Sequence, residues 1–120
     1  MIGRSWKESP IGFAFWTPEL LPEEHGYHGP IHIIVGMDTA GILTGAIVDY
    51  HSEPYGYFSV EPPEFAAQFK GKSVRDPFKV GADVAAVSRA SLSINSATRA
   101  IRDSARMVAR AFLNPQAVKR

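Results

Sequence analysis

The sequence predicts an α+β fold: a small antiparallel sheet, a long C-terminal helix and a short second helix. Three observations carry this reading. The β-branched run Ile31 to Met37, the turn residues Asp38-Thr39-Ala40-Gly41 and the resumed apolar pattern Ile42 to Tyr50 spell a β-hairpin. From Ile94 to Leu113 the apolar residues recur with the helical period: Ile94, Ile101, Ala105, Val108 and Phe112 share one stripe, while Arg99, Arg102, Asp103, Arg106 and Arg110 face away. Between these segments Pro62-Pro63 opens a brief helix with Phe65 and Phe69 four apart on one face, and Gly71 ends it.

The remaining elements follow in chain order. Ile11 to Trp16 is apolar almost throughout and reads as a short strand, stopped at Thr17-Pro18 because proline cannot donate a ladder hydrogen bond. Leu20 to Gly29 is a loop carrying Glu23, Glu24, His25 and His28. Gly36 and Gly45 interrupt the two hairpin strands, which marks a bulge or a close approach by another backbone. The aromatic loop His51 to Phe58 leads into a short strand at Phe58 to Val60, and a further strand is expected at Phe78 to Val80 inside the loop Ser73 to Gly81. Asp83 to Val87 delivers the chain to the last helix, and Asn114-Pro115 stops that helix. With no internal repeat or composition break, residues 1–120 are expected to form one domain with its core at about 11–113.

Composition narrows the chemistry. At 120 residues, 45% hydrophobic and 21% charged, the chain suits one folded core rather than disorder. The net charge is only +1, yet Glu19, Glu23, Glu24, Glu53, Glu61 and Glu64 lie in the first two thirds while Arg99, Arg102, Arg106, Arg110, Lys119 and Arg120 crowd the end. One end of the fold is therefore expected to be basic. The absence of cysteine excludes a disulfide frame, a thiolate nucleophile and a Cys-ligated metal centre. No apolar run reaches the roughly 20 residues of a bilayer span, and the first residues lack the order of a secretory signal.

The segment Val87-Ser88-Arg89-Ala90-Ser91-Leu92-Ser93, just ahead of the long helix, points to phosphate. Exposed N–H groups in a first helical turn and the positive end of the helix dipole form an anion site, and small hydroxyl side chains admit an oxygen close to the backbone. Other constellations carry less. His25, His28 and His32, with Glu23 or Glu24, are split between loop and strand, so no metal site is expected. The Arg-rich helix face is broken by Asp103 and lacks a helix-turn-helix partner or aromatic platform, so no nucleic acid partner is expected. No His/Asp pair is spaced to activate Ser88, Ser91 or Ser93, which argues against hydrolase chemistry.

The order of motifs resembles the FMN-binding domain family. It rests on Gly12-Phe13-Ala14-Phe15-Trp16-Thr17, Gly26-Tyr27-His28-Gly29-Pro30-Ile31, Val35-Gly36-Met37-Asp38 with Gly41, His51-Ser52-Glu53-Pro54, and Val87 to Ser93 before the helix. The nearest likeness is to the periplasmic flavin domain of NosR-type nitrous oxide reductase regulators, which is related to flavin subunits of the Rnf and sodium-pumping NADH:quinone reductase complexes. The resemblance implies FMN as cofactor, a role in electron transfer or redox sensing rather than stand-alone catalysis, a redox partner protein, a membrane-protein partner and the periplasmic face of a bacterial inner membrane.

It also implies the site: Ser88, Arg89, Ala90, Ser91, Leu92 and Ser93 at the phosphate, with His51, Glu53 and Tyr55 near the ring. Aromatic residues of that loop, Tyr55, Tyr57 and Phe58, suit stacking on or flanking a flavin. Family members often attach FMN by a phosphoester to the last residue of Asp-x-x-Ser-Gly-Ala-Thr. Here Ala85 replaces the aspartate, Arg89 the glycine and Ser91 the acceptor threonine. Ser91 keeps the hydroxyl, but the altered surroundings favour noncovalent FMN. Arg89 either grips the phosphate through a bidentate guanidinium or fills space that glycine would leave open. The alternative to flavin carriage is a flavin-free member acting as a binding or assembly module for a membrane or metalloenzyme partner.

Overall fold

The computed structural model describes residues 6–9, 12–21, 31–51, 60, 63–86 and 91–113. Among them are the strands β1 (Trp6–Ser9) and β2 (Gly12–Trp16), the single turn α1 (Thr17–Leu20), the strands β3 (His32–Asp38) and β4 (Leu43–Tyr50), the short helix α2 (Pro63–Ala67) and the long helix α3 (Ser91–Phe112). The four strands pair antiparallel in the order β1-β2-β3-β4. This is the expected α+β architecture.

Strand alternation sets the layers. Phe13 and Phe15 of β2 and Ile33, Val35 and Met37 of β3 are buried on one face of the sheet, where Ile94, Ala97, Ile101, Ala105 and Val108 of α3 meet them in one continuous core. Full burial of each aliphatic side chain contributes about 1.5–3 kcal/mol, so this stripe fixes α3 against the sheet. Phe112, 39% exposed, extends the stripe by stacking on Phe13 with ring centroids 5.7 Å apart. On the opposite face Trp16, Ile34 and Ile47 stand in register across β2, β3 and β4.

The hairpin forms as its turn chemistry requires. Asp38 Oδ1 accepts the backbone N–H groups of Ala40 and Ile42 at 2.8 and 3.0 Å, closing the turn before β4 starts. Gly36 answers to close approach, because a Cβ there would lie 2.6 Å from Thr44 Oγ1, and the register shifts just beyond it. The constraint at Gly12 is harder: its φ is +156° and a Cβ would lie 2.1 Å from the Met37 carbonyl oxygen. Segment 71–74 lies beside the beginning of β4, with Leu43 N–H donating to Lys72 O, Gly71 N–H to Leu43 O and Val74 N–H to Gly41 O.

Several expectations are corrected. The strand β1 was not anticipated. Thr17-Pro18 does end β2, but it also opens α1, with proline in the first turn and buried Thr17 tying the turn to β3: Thr17 Oγ1 accepts Ile33 N–H at 3.2 Å. Phe78 to Val80 is not a strand. Phe78 has φ +53° and Val80 makes only an isolated bridge to Val84. Val60 lies in a turn, and the rest of the aromatic loop, residues 52–59, is outside the described residues. The long helix begins at Ser91, three residues before Ile94, so Ser91 to Ser93 belong to its first turn.

Candidate functional site

The chain reaches α3 from a loop held by specific hydrogen bonds. Burial pushes the Asp83 carboxyl up, but the backbone N–H groups of Lys79 and Phe78, at 2.6 and 3.1 Å, and the Lys72 ammonium at 3.3 Å more than offset it, leaving its pKa below the ordinary value. Phe78 is thereby kept at positive φ, its ring stacked on Phe69 with centroids 6.1 Å apart. Ala85, which replaces the motif's aspartate, donates its N–H to Gln68 Oε1 at 2.9 Å.

Ser88, Arg89 and Ala90 lie outside the described residues, and for Ser91 and Leu92 the backbone is described. That backbone is informative. Because the helix starts at Ser91, the backbone N–H groups of its first turn point out of the helix end instead of toward a carbonyl one turn earlier. The first turn of this 22-residue helix contains no acidic side chain, so the helix supplies no carboxylate of its own against the positive end of its dipole. A helix opening of this kind is chemically suited to an anion.

The first half of α3 also buries hydroxyls. Ser93, Ser96 and Thr98 are 3%, 1% and 1% exposed. Farther along, Ser104 Oγ donates to the carbonyls of Ala100 and Ile101, the usual resort of a hydroxyl inside a helix. Thr98 Oγ1 has no partner of any kind although it is buried. On β2 the Trp16 indole N–H is likewise unpartnered, its ring edge-on to His32 with centroids 5.2 Å apart. An unpaired buried polar atom is uncommon in a folded protein and calls for an explanation. Sequence reasoning passes over Thr98, because a threonine inside a helical run carries no sign of where its hydroxyl turns.

Of the residues expected near a ring, His51 is half-buried immediately after β4, while Glu53 and Tyr55 lie outside the described residues. Just before that loop, Ala46, Ile47 and Val48 of β4 face Pro63, Ala66 and Ala67 of α2 across a groove of about 350 Å³ that Val60 helps to line. The side chains that line it are all apolar, and its size falls within the range of small-molecule sites.

The arginine face of α3 is divided. Arg102 Nε pairs with Asp103 at 2.6 Å, and Arg99 and Arg110 are exposed. Arg106, expected to face away, turns toward the loop instead: it donates to the carbonyls of Val74 and Asp76 at 2.8 and 2.7 Å and covers the Phe78 ring at 5.8 Å. Burial, then Arg102 and Arg110 nearby, lower its pKa, but the guanidinium remains charged. Among the described residues no three metal-ligating side chains converge and no helix is long and apolar enough to cross a membrane; His25 and His28 lie outside them.

No curated protein matches the chain. The family model for the FMN-binding domain matches residues 26–106, a span that takes in the hairpin, α2, the Asp83 loop and most of α3. The chain therefore belongs to the FMN-binding domain family, and FMN is its cofactor.

Proposed function

We propose that residues 1–120 act as one flavin-carrying unit, with its core at about 11–113, that transfers electrons or senses redox state and does not turn over a substrate by itself. In this reading the phosphate is held noncovalently by Ser88, Arg89, Ala90, Ser91, Leu92 and Ser93, and His51, Glu53 and Tyr55 flank the ring. The single observation that carries it is the opening of α3: a long helix whose first turn contains Ser91 and Ser93 and no carboxylate. First-turn amides and small hydroxyl residues suit a phosphate there, and the groove between β4 and α2 suits the hydrophobic character of an isoalloxazine.

When bound, FMN supplies one- or two-electron redox chemistry. The chain's residues anchor its anionic end, hold its ring and set its exposure to water. Ser91 is the acceptor in the less favoured case of a phosphoester, since Ala85 and Arg89 remove two letters of the attachment motif. By resemblance to NosR-type regulators we place the unit on the periplasmic face of a bacterial inner membrane, working with a redox partner and a membrane protein.

Titration of the purified, flavin-depleted protein with FMN tests the proposal. Saturable quenching of flavin fluorescence with a one-to-one end point is the expected result, together with full release of flavin on denaturation. Flavin that stays on the polypeptide and is lost in Ser91→Ala would replace noncovalent binding by a phosphoester. Absence of saturable binding would remove flavin carriage and leave the assembly-module reading.

A further inference from the structure

Resting on the FMN reading above, we infer that the flavin ring is recognised by main chain: its carbonyl and N–H edge hydrogen-bonds to the free edge of β4 at Ala46 and Val48, inside the groove that faces α2. The strand order β1-β2-β3-β4 leaves β4 with a neighbouring strand on one side only. The start of that edge is covered by segment 71–74, where Leu43 donates its N–H to Lys72 O and its carbonyl accepts the Gly71 N–H. Leu43 therefore turns both main-chain groups away from β3, although it stands opposite Met37. In an antiparallel ladder such non-bonded pairs recur at every second residue. On β3 they fall at Met37, Val35 and Ile33, whose partners are Leu43, Ala46 and Val48, the extra residue between Leu43 and Ala46 being taken up by a bulge. Ala46 and Val48 thus turn their N–H and C=O groups outward, on the side where the groove lies. Among the described residues, no backbone group outside the sheet bonds to either of them.

The groove therefore joins two kinds of surface. Pro63, Ala66 and Ala67 of α2 form an apolar wall, and small side chains there leave a space of about 350 Å³. Ala46, Ile47 and Val48 have no polar side-chain atoms, so every hydrogen-bonding group that this stretch of β4 brings to the groove is main chain. A small-molecule site is built in this way, with apolar walls for affinity and a few fixed polar groups for orientation. An isoalloxazine has the matching halves: an apolar dimethylbenzene ring, fused to a uracil-like ring whose edge carries C2=O, N3–H and C4=O. The Val48 N–H donates to a ring carbonyl, the Ala46 carbonyl accepts from N3–H, and the apolar rings lie against α2. Because the contacts are main chain, no residue letter announces them.

Two measurements on flavin-depleted protein test this. N3-methyl-FMN keeps the phosphate and the apolar rings but has no N3 donor, and it should bind at least about tenfold more weakly than FMN. Val48→Pro deletes the outward N–H at nearly constant volume, a change that an edge strand tolerates. It should keep the parent's circular dichroism spectrum and bind FMN about three- to tenfold more weakly. Ile47→Pro removes an N–H that points into the ladder and should lose the fold. If the parent binds FMN and either N3-methyl-FMN or the folded Val48→Pro variant binds within about twofold of that affinity, the main-chain contact is overturned while the flavin reading stands. Unfolding of Val48→Pro alongside Ile47→Pro would refute the free edge itself. If the parent does not bind FMN, the flavin reading falls first, and the contact with it.

Discussion

Replacing Asp83 by alanine should cost about 2–3 kcal/mol of folding stability, out of proportion to a residue on a surface turn. One carboxylate accepts the backbone N–H groups of Phe78 and Lys79 and pairs with Lys72. Charge-assisted hydrogen bonds contribute about 1.5–3 kcal/mol each when sheltered, but the bond to Lys79 is exposed, so solvent recovers much of it. The bond to Phe78 matters more, because that residue sits at φ +53° with its ring among Phe69, Lys72 and Arg106. For a chain of this length the loss corresponds to a fall in Tm of about 8–12 °C.

The carboxyl's folded-state pKa is lowered, so its stabilisation is fully present above the ordinary aspartate range near pH 4 and is lost as pH falls through the lower folded value. Urea unfolding of the parent and of Asp83→Asn between about pH 7 and pH 3 checks this. The two stability curves should converge on the acid side. Parallel curves across that window, or an Asp83→Ala cost under about 0.5 kcal/mol, would refute the reasoning that this carboxylate shapes the loop.

Glycine replacements should separate by what their Cβ meets: Gly12→Ala, driven into the Met37 carbonyl, should cost at least about 3 kcal/mol, whereas Gly45→Ala, with nothing within 4 Å, should stay within about 0.5 kcal/mol by thermal melts. Arg106→Met should cost about 2–3 kcal/mol by removing donors to Val74 and Asp76, with Arg106→Lys recovering part of it in the same urea assay.

Much of the scaffold could be read from the letters because local chemistry and tertiary packing agree there. Ile31 to Tyr50 combines β-branched runs with Asp38 in a turn, and the alternating burial of β3 is what the pattern implies. The α3 stripe is equally consistent, as Ile94, Ile101, Ala105 and Val108 are all buried. What escaped depended on distant partners. Trp6 to Ser9 has the polar triplet Lys7-Glu8-Ser9 and becomes a strand by pairing with β2. Thr17-Pro18 was legible as a stop, yet it is also a helix opener, a second meaning that proline at a first turn allows. Phe78 reads as β-forming by type but takes a left-handed conformation fixed by Asp83. Arg106 reads as a solvent residue, although two carbonyls 30 and 32 residues earlier draw it in. The candidate site divides in the same way: hydroxyls near a helix start are visible in sequence, whereas an unpartnered Thr98 is visible only once neighbours are in place.

The continuity of α3 has a consequence for motion. Burial sets in at Ser93 and Ile94, and from there the helix carries its core stripe through Ala109. Fraying can loosen the opening residues, but amides from the second turn onward should exchange with deuterium only when the whole sheet–helix unit opens, because no separate cooperative segment lies between them and the interior. The proposed anion end is thus carried by a helix anchored in the core, and a ligand seated there would meet a nearly preformed cradle.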